Sequence, residues 1–122
     1  MPTNVDLLAK EIMGGLGDAL GSGWNQVADY QWKKMQLIAR QAGLIATSRA
    51  TGSLKNDDEG FDYEVQGLKE QVKGMAIVIA NLVIITIEKA FNAVMGVIWK
   101  AMQGFLDARG LGSLIPEKPP AL

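Results

Sequence analysis

The sequence predicts an all-α protein: an elongated helical hairpin with a short N-terminal amphipathic helix, assembling into an oligomeric helical bundle. Three observations predict it. Apolar residues recur at spacings of three and four through most of the 122 residues. The one β-branched run, residues 76–87, has no partner strand elsewhere in the chain, and a lone strand leaves its ladder hydrogen bonds unmade. Finally, the helices carry apolar lines on more faces than one chain of this length can cover.

The length allows one domain, residues 1–122. Residues 4–20 form its first helix, because Val5, Leu8, Ile12, Leu16 and Leu20 share a face. Thr3 or Asn4 is its N-cap, with Asp6 in the first turn. Glycines at 14, 15 and 17 predict fraying in its second half, and Gly21-Ser22-Gly23 predicts a joint. Residues 24–50 form the second helix. Its main stripe runs through Trp24, Ala28, Trp32, Met35, Ile38, Ala42 and Ile45, and Gly52 ends it. A second line, Tyr30, Leu37 and Leu44, repeats every seven residues on the opposite side.

Residues 53–60 are an acidic loop. Residues 61–109 then read as one helix about 70 Å long. Its first half carries a seam of Phe61, Val65, Leu68, Val72, Met75, Ile79 and Leu82. The second half carries Ile84, Ile87, Phe91, Val94, Ile98, Met102 and Phe105. Ile84 lies about 200° round from Leu82, so the seam changes sides there. A hairpin of residues 24–50 and 61–87 leaves the last 20 or so residues of this helix uncovered. Residues 110–122 are a Pro-rich tail; it and the Gly-rich N-terminal segment read as docking arms.

Composition excludes several functions. Without Cys or His there is no thiol nucleophile, no disulfide scaffold, no thiolate metal site and no imidazole base. No cofactor, metal, catalytic constellation or small-molecule substrate is expected. Twelve basic against thirteen acidic residues predict nucleic-acid contact that is indirect or absent. Gly15-Leu16-Gly17-Asp18-Ala19-Leu20-Gly21 lacks the spacing and the Lys of a phosphate loop. The cluster Asp57, Asp58, Glu59, Asp62 and Glu64 fails as a calcium loop and suits a helix start. Residues 24–55 hold five basic and one acidic side chain, and residues 56–70 hold six acidic and one basic, so a hairpin brings opposite charges together. Lys33, Lys34, Arg40 and Arg49 read as a solvated flank, and Glu88 and Lys89 as a solvent-facing pair.

The residues expected at oligomer or helix interfaces are Tyr30, Leu37, Leu44, Phe61, Val65, Leu68, Val72, Phe91, Val94, Ile98, Met102 and Phe105. Those expected to meet a membrane are Ile12, Met13, Leu16, Leu20, Trp24, Ile77, Ile79, Val83, Ile85 and Ile87. From Gly74 to Ile87 no residue is charged, which spans about 21 Å against the roughly 30 Å of a bilayer core. No signal peptide is visible at residues 1–6.

A Gly-containing amphipathic end, Ile12 to Trp24, joined to a long apolar helix, Met75 to Trp99, resembles the small internal or ejection proteins of tailed bacteriophages. The resemblance covers general character over most of the chain, and no functional residue is carried over from it. It implies a virion protein that helps form a conduit for DNA through the cell envelope. The chain is thus expected to be a non-catalytic assembly subunit, in a homo-oligomer or larger complex, located in a virion or at a membrane. The alternatives are a holin-like or pore-forming permeabiliser and a soluble helical adaptor.

Overall fold

The computed structural model describes residues 3–20 and 29–122, and within them every element is helical. The order is α1 (Asn4–Leu20), α2 (Asp29–Thr51), α3 (Asp58–Val83) and α4 (Ile87–Asp107), followed by a short 3₁₀ turn, Gly112–Leu114. The expected all-α bundle is what the chain adopts. The expected start of α2 at residue 24, the joint at 21–23 and Trp24 lie outside the described residues.

Helix α1 begins at a reciprocal cap. The Asp6 N–H donates to Thr3 Oγ1 at 3.1 Å, and the Thr3 N–H donates to Asp6 Oδ2 at 3.3 Å. It runs antiparallel to α2, with Val5 beside Gly43 and the Asp6 carboxylate paired with the Arg40 guanidinium. That pair, helped by the Thr3 hydroxyl and N–H, holds the Asp6 carboxyl below its ordinary value. A depressed carboxyl contributes stability above its unfolded pKa, near 4, and loses it as pH falls through the folded value. An NMR titration of Asp6 should therefore show a lowered midpoint, which Arg40→Gln raises part of the way back, the Thr3 hydrogen bonds remaining.

Fraying does not occur in the second half of α1, which stays helical to Leu20. Here glycine allows helices to approach: a Cβ on Gly15 would lie 2.7 Å from Val97 Cγ1 of α4. The β-branched Val97 has little freedom to move aside. Gly15→Ala, normally a gain of about 1 kcal/mol in a helix, should instead be neutral or destabilising in a urea melt.

The largest correction concerns residues 61–109, which are two helices rather than one. The acidic loop ends earlier than expected, at Asp57, which caps α3 by accepting the Gly60 N–H at 2.9 Å. Helix α3 stops at Val83, Ile84 takes a left-handed backbone (φ 57°, ψ 57°), and Thr86 caps α4 by accepting the Lys89 N–H at 3.1 Å. The chain bends by 120° there. Apart from Ile84 and Ile87 at the corner, both seams consequently face one core. Phe61, Val65, Leu68 and Val72 of α3 are buried with Phe91, Val94, Ile98 and Met102 of α4. The part expected to overshoot the hairpin is covered by α1, α2 and α3.

The docking arms also turn inward. Leu8, Ile12 and Leu16 of α1 belong to the core. The tail lies along α4, where the Trp99 Nε1–H donates to the Pro116 carbonyl at 2.8 Å and Gln103 Nε2 donates to the Glu117 carbonyl at 2.7 Å.

Candidate functional site: an uncovered face and an apolar corner

The fold divides the expected interface residues into two groups. Phe61, Val65, Leu68, Val72, Phe91, Val94, Ile98 and Met102 are spent inside the chain, and Phe105 is half-buried against them. They are interfaces between helices of one molecule. Leu37 and Leu44 are left outside, 66% and 54% exposed. The side chain of Tyr30, which shares their seven-residue line, lies outside the described residues.

Leu37 and Leu44 border a shallow groove between α2 and α3. One basin of about 490 Å³ lies among Lys34, Leu37, Ile38, Glu70, Gln71, Gly74, Met75 and Val78. A second, of about 250 Å³, lies among Gln41, Leu44, Ile45, Ser48, Leu54 and Glu64. Two lines at alternating spacings of three and four flank it. On α2 these are Lys34, Leu37, Gln41, Leu44 and Ser48; on α3 they are Glu64, Gly67, Gln71, Gly74 and Val78. The helices are antiparallel, with Leu37 beside Gln71 and Gly74, Leu44 beside Glu64, and Gln41 between them reaching Gly67. Tyr63, 77% exposed, stands on the outer side of α3.

The residues expected to meet lipid also divide. Ile12, Leu16 and Ile79 are fully buried, and Met13, Leu20, Val83 and Ile85 are half-buried, because α1 and the inner face of α3 are core. Ile77 and Ile87 are 43% and 42% exposed. They lie near Ile84, which is 90% exposed at the α3–α4 corner and was not among the expected contacts. Among the described residues no single helix is long and apolar enough to cross a membrane; α3 and α4 meet that requirement only together, across the bend.

Of the four cations that sequence placed on a solvated flank, Lys33 and Lys34 are exposed as expected, and the two arginines have specific partners. Arg40 is taken by Asp6. Arg49 is buried, and its guanidinium donates to the carbonyls of Leu114 and Leu54 and to Asp58 Oδ1, at 2.9, 2.7 and 2.7 Å. The Arg49–Asp58 pair is the contact between the basic and acidic blocks that the charge segregation implied. Glu88 and Lys89 are both exposed in the first turn of α4. Among the described residues no group of three or more acidic side chains is placed to hold a metal ion.

The geometry therefore offers surfaces for contact: a grooved two-helix face and an apolar corner. No family model matches the chain, and no similarity to a curated protein or a solved structure is found.

Proposed function

We propose that this chain is a non-catalytic assembly subunit that works by docking through its α2–α3 face. One observation carries the reading. The molecule closes a core of its own and still leaves Leu37 and Leu44, one heptad apart, in the open beside a groove. Apolar side chains aligned in this way mark contact surfaces. The resemblance to virion internal proteins supplies the proposed setting: a subunit of a conduit that takes DNA through the cell envelope. Sizing by light scattering, with and without liposomes, tests this. A defined assembly in detergent-free buffer supports it; a monomer under both conditions removes it.

The α3–α4 corner favours a second reading, a membrane permeabiliser. Ile84 stands 90% exposed at the corner, with Ile87 three residues on and Ile77 about two turns before it, and Lys89 shares the surface around Ile84 and can meet an anionic headgroup. Dye release from anionic liposomes by the pure chain, reduced by Ile84→Ser with Ile87→Ser, is the result this reading requires.

A further inference from the structure

We infer that the α2–α3 face binds a second copy of this chain, about a two-fold axis parallel to the two helices, with leucine knobs of α2 entering glycine-edged holes on α3. The inference rests on the assembly reading and names its partner and register.

Helix α3 has glycines at 60, 67 and 74, seven residues apart, and α2 has exposed leucines at 37 and 44, also seven apart. A knob on one helix fits a hole formed by residues i, i+3, i+4 and i+7 of its neighbour. On α3 two such holes follow in sequence: Gly60, Tyr63, Glu64 and Gly67, then Gly67, Glu70, Gln71 and Gly74. The edges at Gly67 and Gly74 are empty, while the one at Gly60 is taken by the Asp57 carboxylate that caps α3. A Cβ on Gly74 would meet nothing within 4 Å, and one on Gly67 only Gln41 Nε2 at 4.0 Å.

Height along the helices fixes which knob meets which hole. With Gln41 reaching Gly67, Leu37 is level with Gln71 and Leu44 with Glu64, at 1.5 Å per residue. Rotation about an axis parallel to the helices preserves height and places α2 over α3 of the other copy. Leu37 then enters the open hole edged by Gly67 and Gly74, while Leu44 comes over Tyr63, Glu64 and Gly67, where the Asp57 carboxylate closes the Gly60 side. Tyr63, otherwise mostly exposed, borders the second hole and is covered. The charges agree in sign, since Lys34 comes level with the partner subunit's Gly74, about one turn from the partner subunit's Glu70. A two-fold perpendicular to the helices would instead set leucine ridge on leucine ridge and leave the glycine holes facing each other empty. The surface is complementary to itself in the first arrangement only, as a two-fold contact demands.

Sedimentation equilibrium of the full chain tests this, with Leu37→Gln and Gly67→Leu as variants. Wild type should dimerise, and each variant should weaken the dimer at least 100-fold. Circular dichroism melts at low concentration should show the monomer intact. Leu37 is exposed, and Gly67→Leu fills open space while replacing a mid-helix glycine, so that variant should melt no lower than wild-type monomer. A dimer or larger oligomer indifferent to Gly67→Leu overturns this register but leaves the assembly reading standing. A monomer that binds vesicles through Leu37 overturns it in favour of lipid. A monomer indifferent to vesicles overturns both.

Discussion

Phe91→Ala is expected to destabilise the isolated chain by about 3–5 kcal/mol, the range for emptying a fully buried aromatic site. That is a large part of the roughly 5–15 kcal/mol by which small domains are stable. The size follows from the bend. Phe91 lies at the start of α4, wholly buried, only because the chain turns at Ile84 and brings α4 back over the core. Had residues 61–109 continued as one rod, Phe91 would stand on a different side from Phe61 and Leu68. Truncating it would then alter association and leave the folded chain nearly as stable. Urea unfolding at concentrations where the chain is monomeric separates these outcomes. Leu37→Ala is the control: at 66% exposure its loss should stay within about 0.5 kcal/mol. A Phe91→Ala chain as stable as that control would refute the folded-back α4.

The bend shows where periodicity stopped being informative. Counting apolar spacings found α1 to the residue and placed the inward faces of α2 and α3, because those faces are set within single helices. The same counting registered a 200° seam shift between Leu82 and Ile84 and treated it as a change of partner along a straight helix. The alternative resolution is to turn the chain. A left-handed β-branched residue costs about 1–2 kcal/mol, and four large α4 side chains gain burial in exchange. The signal was present in Thr86-Ile87-Glu88, a capping residue followed by an acidic first turn, at the end of the β-branched run.

The contact surface we propose was half legible. The outward line of Leu37 and Leu44 could be read, since it lies opposite the main stripe of α2. The open glycines at 67 and 74 were invisible to a search for apolar residues, because what they contribute is an absence of side chain. The lipid-facing set failed at Ile12, Leu16 and Ile79 for another reason. Hydrophobicity gives a wish to leave water, and only the fold says whether protein or lipid provides the refuge. Arg49 was beyond reach, because its carbonyl partners lie 5, 6 and 65 residues away and carry no side-chain signature.

Arg49→Met is the other substitution with a large expected effect, a loss of about 3–4 kcal/mol. The guanidinium joins four pieces of chain at one point. Nε donates to the Leu114 carbonyl at 2.9 Å, one terminal nitrogen to those of Leu54 and Lys55 at 2.7 and 3.4 Å, and the other to Asp58 Oδ1 at 2.7 Å. The carbon of the guanidinium sits 4.6 Å from the centre of the Phe61 ring. Methionine keeps the apolar stem and removes every donor, so the loop and tail carbonyls must find water or go unpaired. Little of the effect belongs to the ion pair itself. Asp58 is 87% exposed, so Asp58→Asn should cost under about 1 kcal/mol and salt should matter little. Arg49→Lys should recover only part of the loss, because an ammonium cannot reproduce a planar fork that spans the loop and the tail. Hydrogen exchange gives the local signature: in Arg49→Met the amides of residues 112–115 should lose protection while those of α1 keep theirs. Equal loss in α1 would mean that Arg49 supports the whole core rather than clasping the α2–α3 loop to the tail.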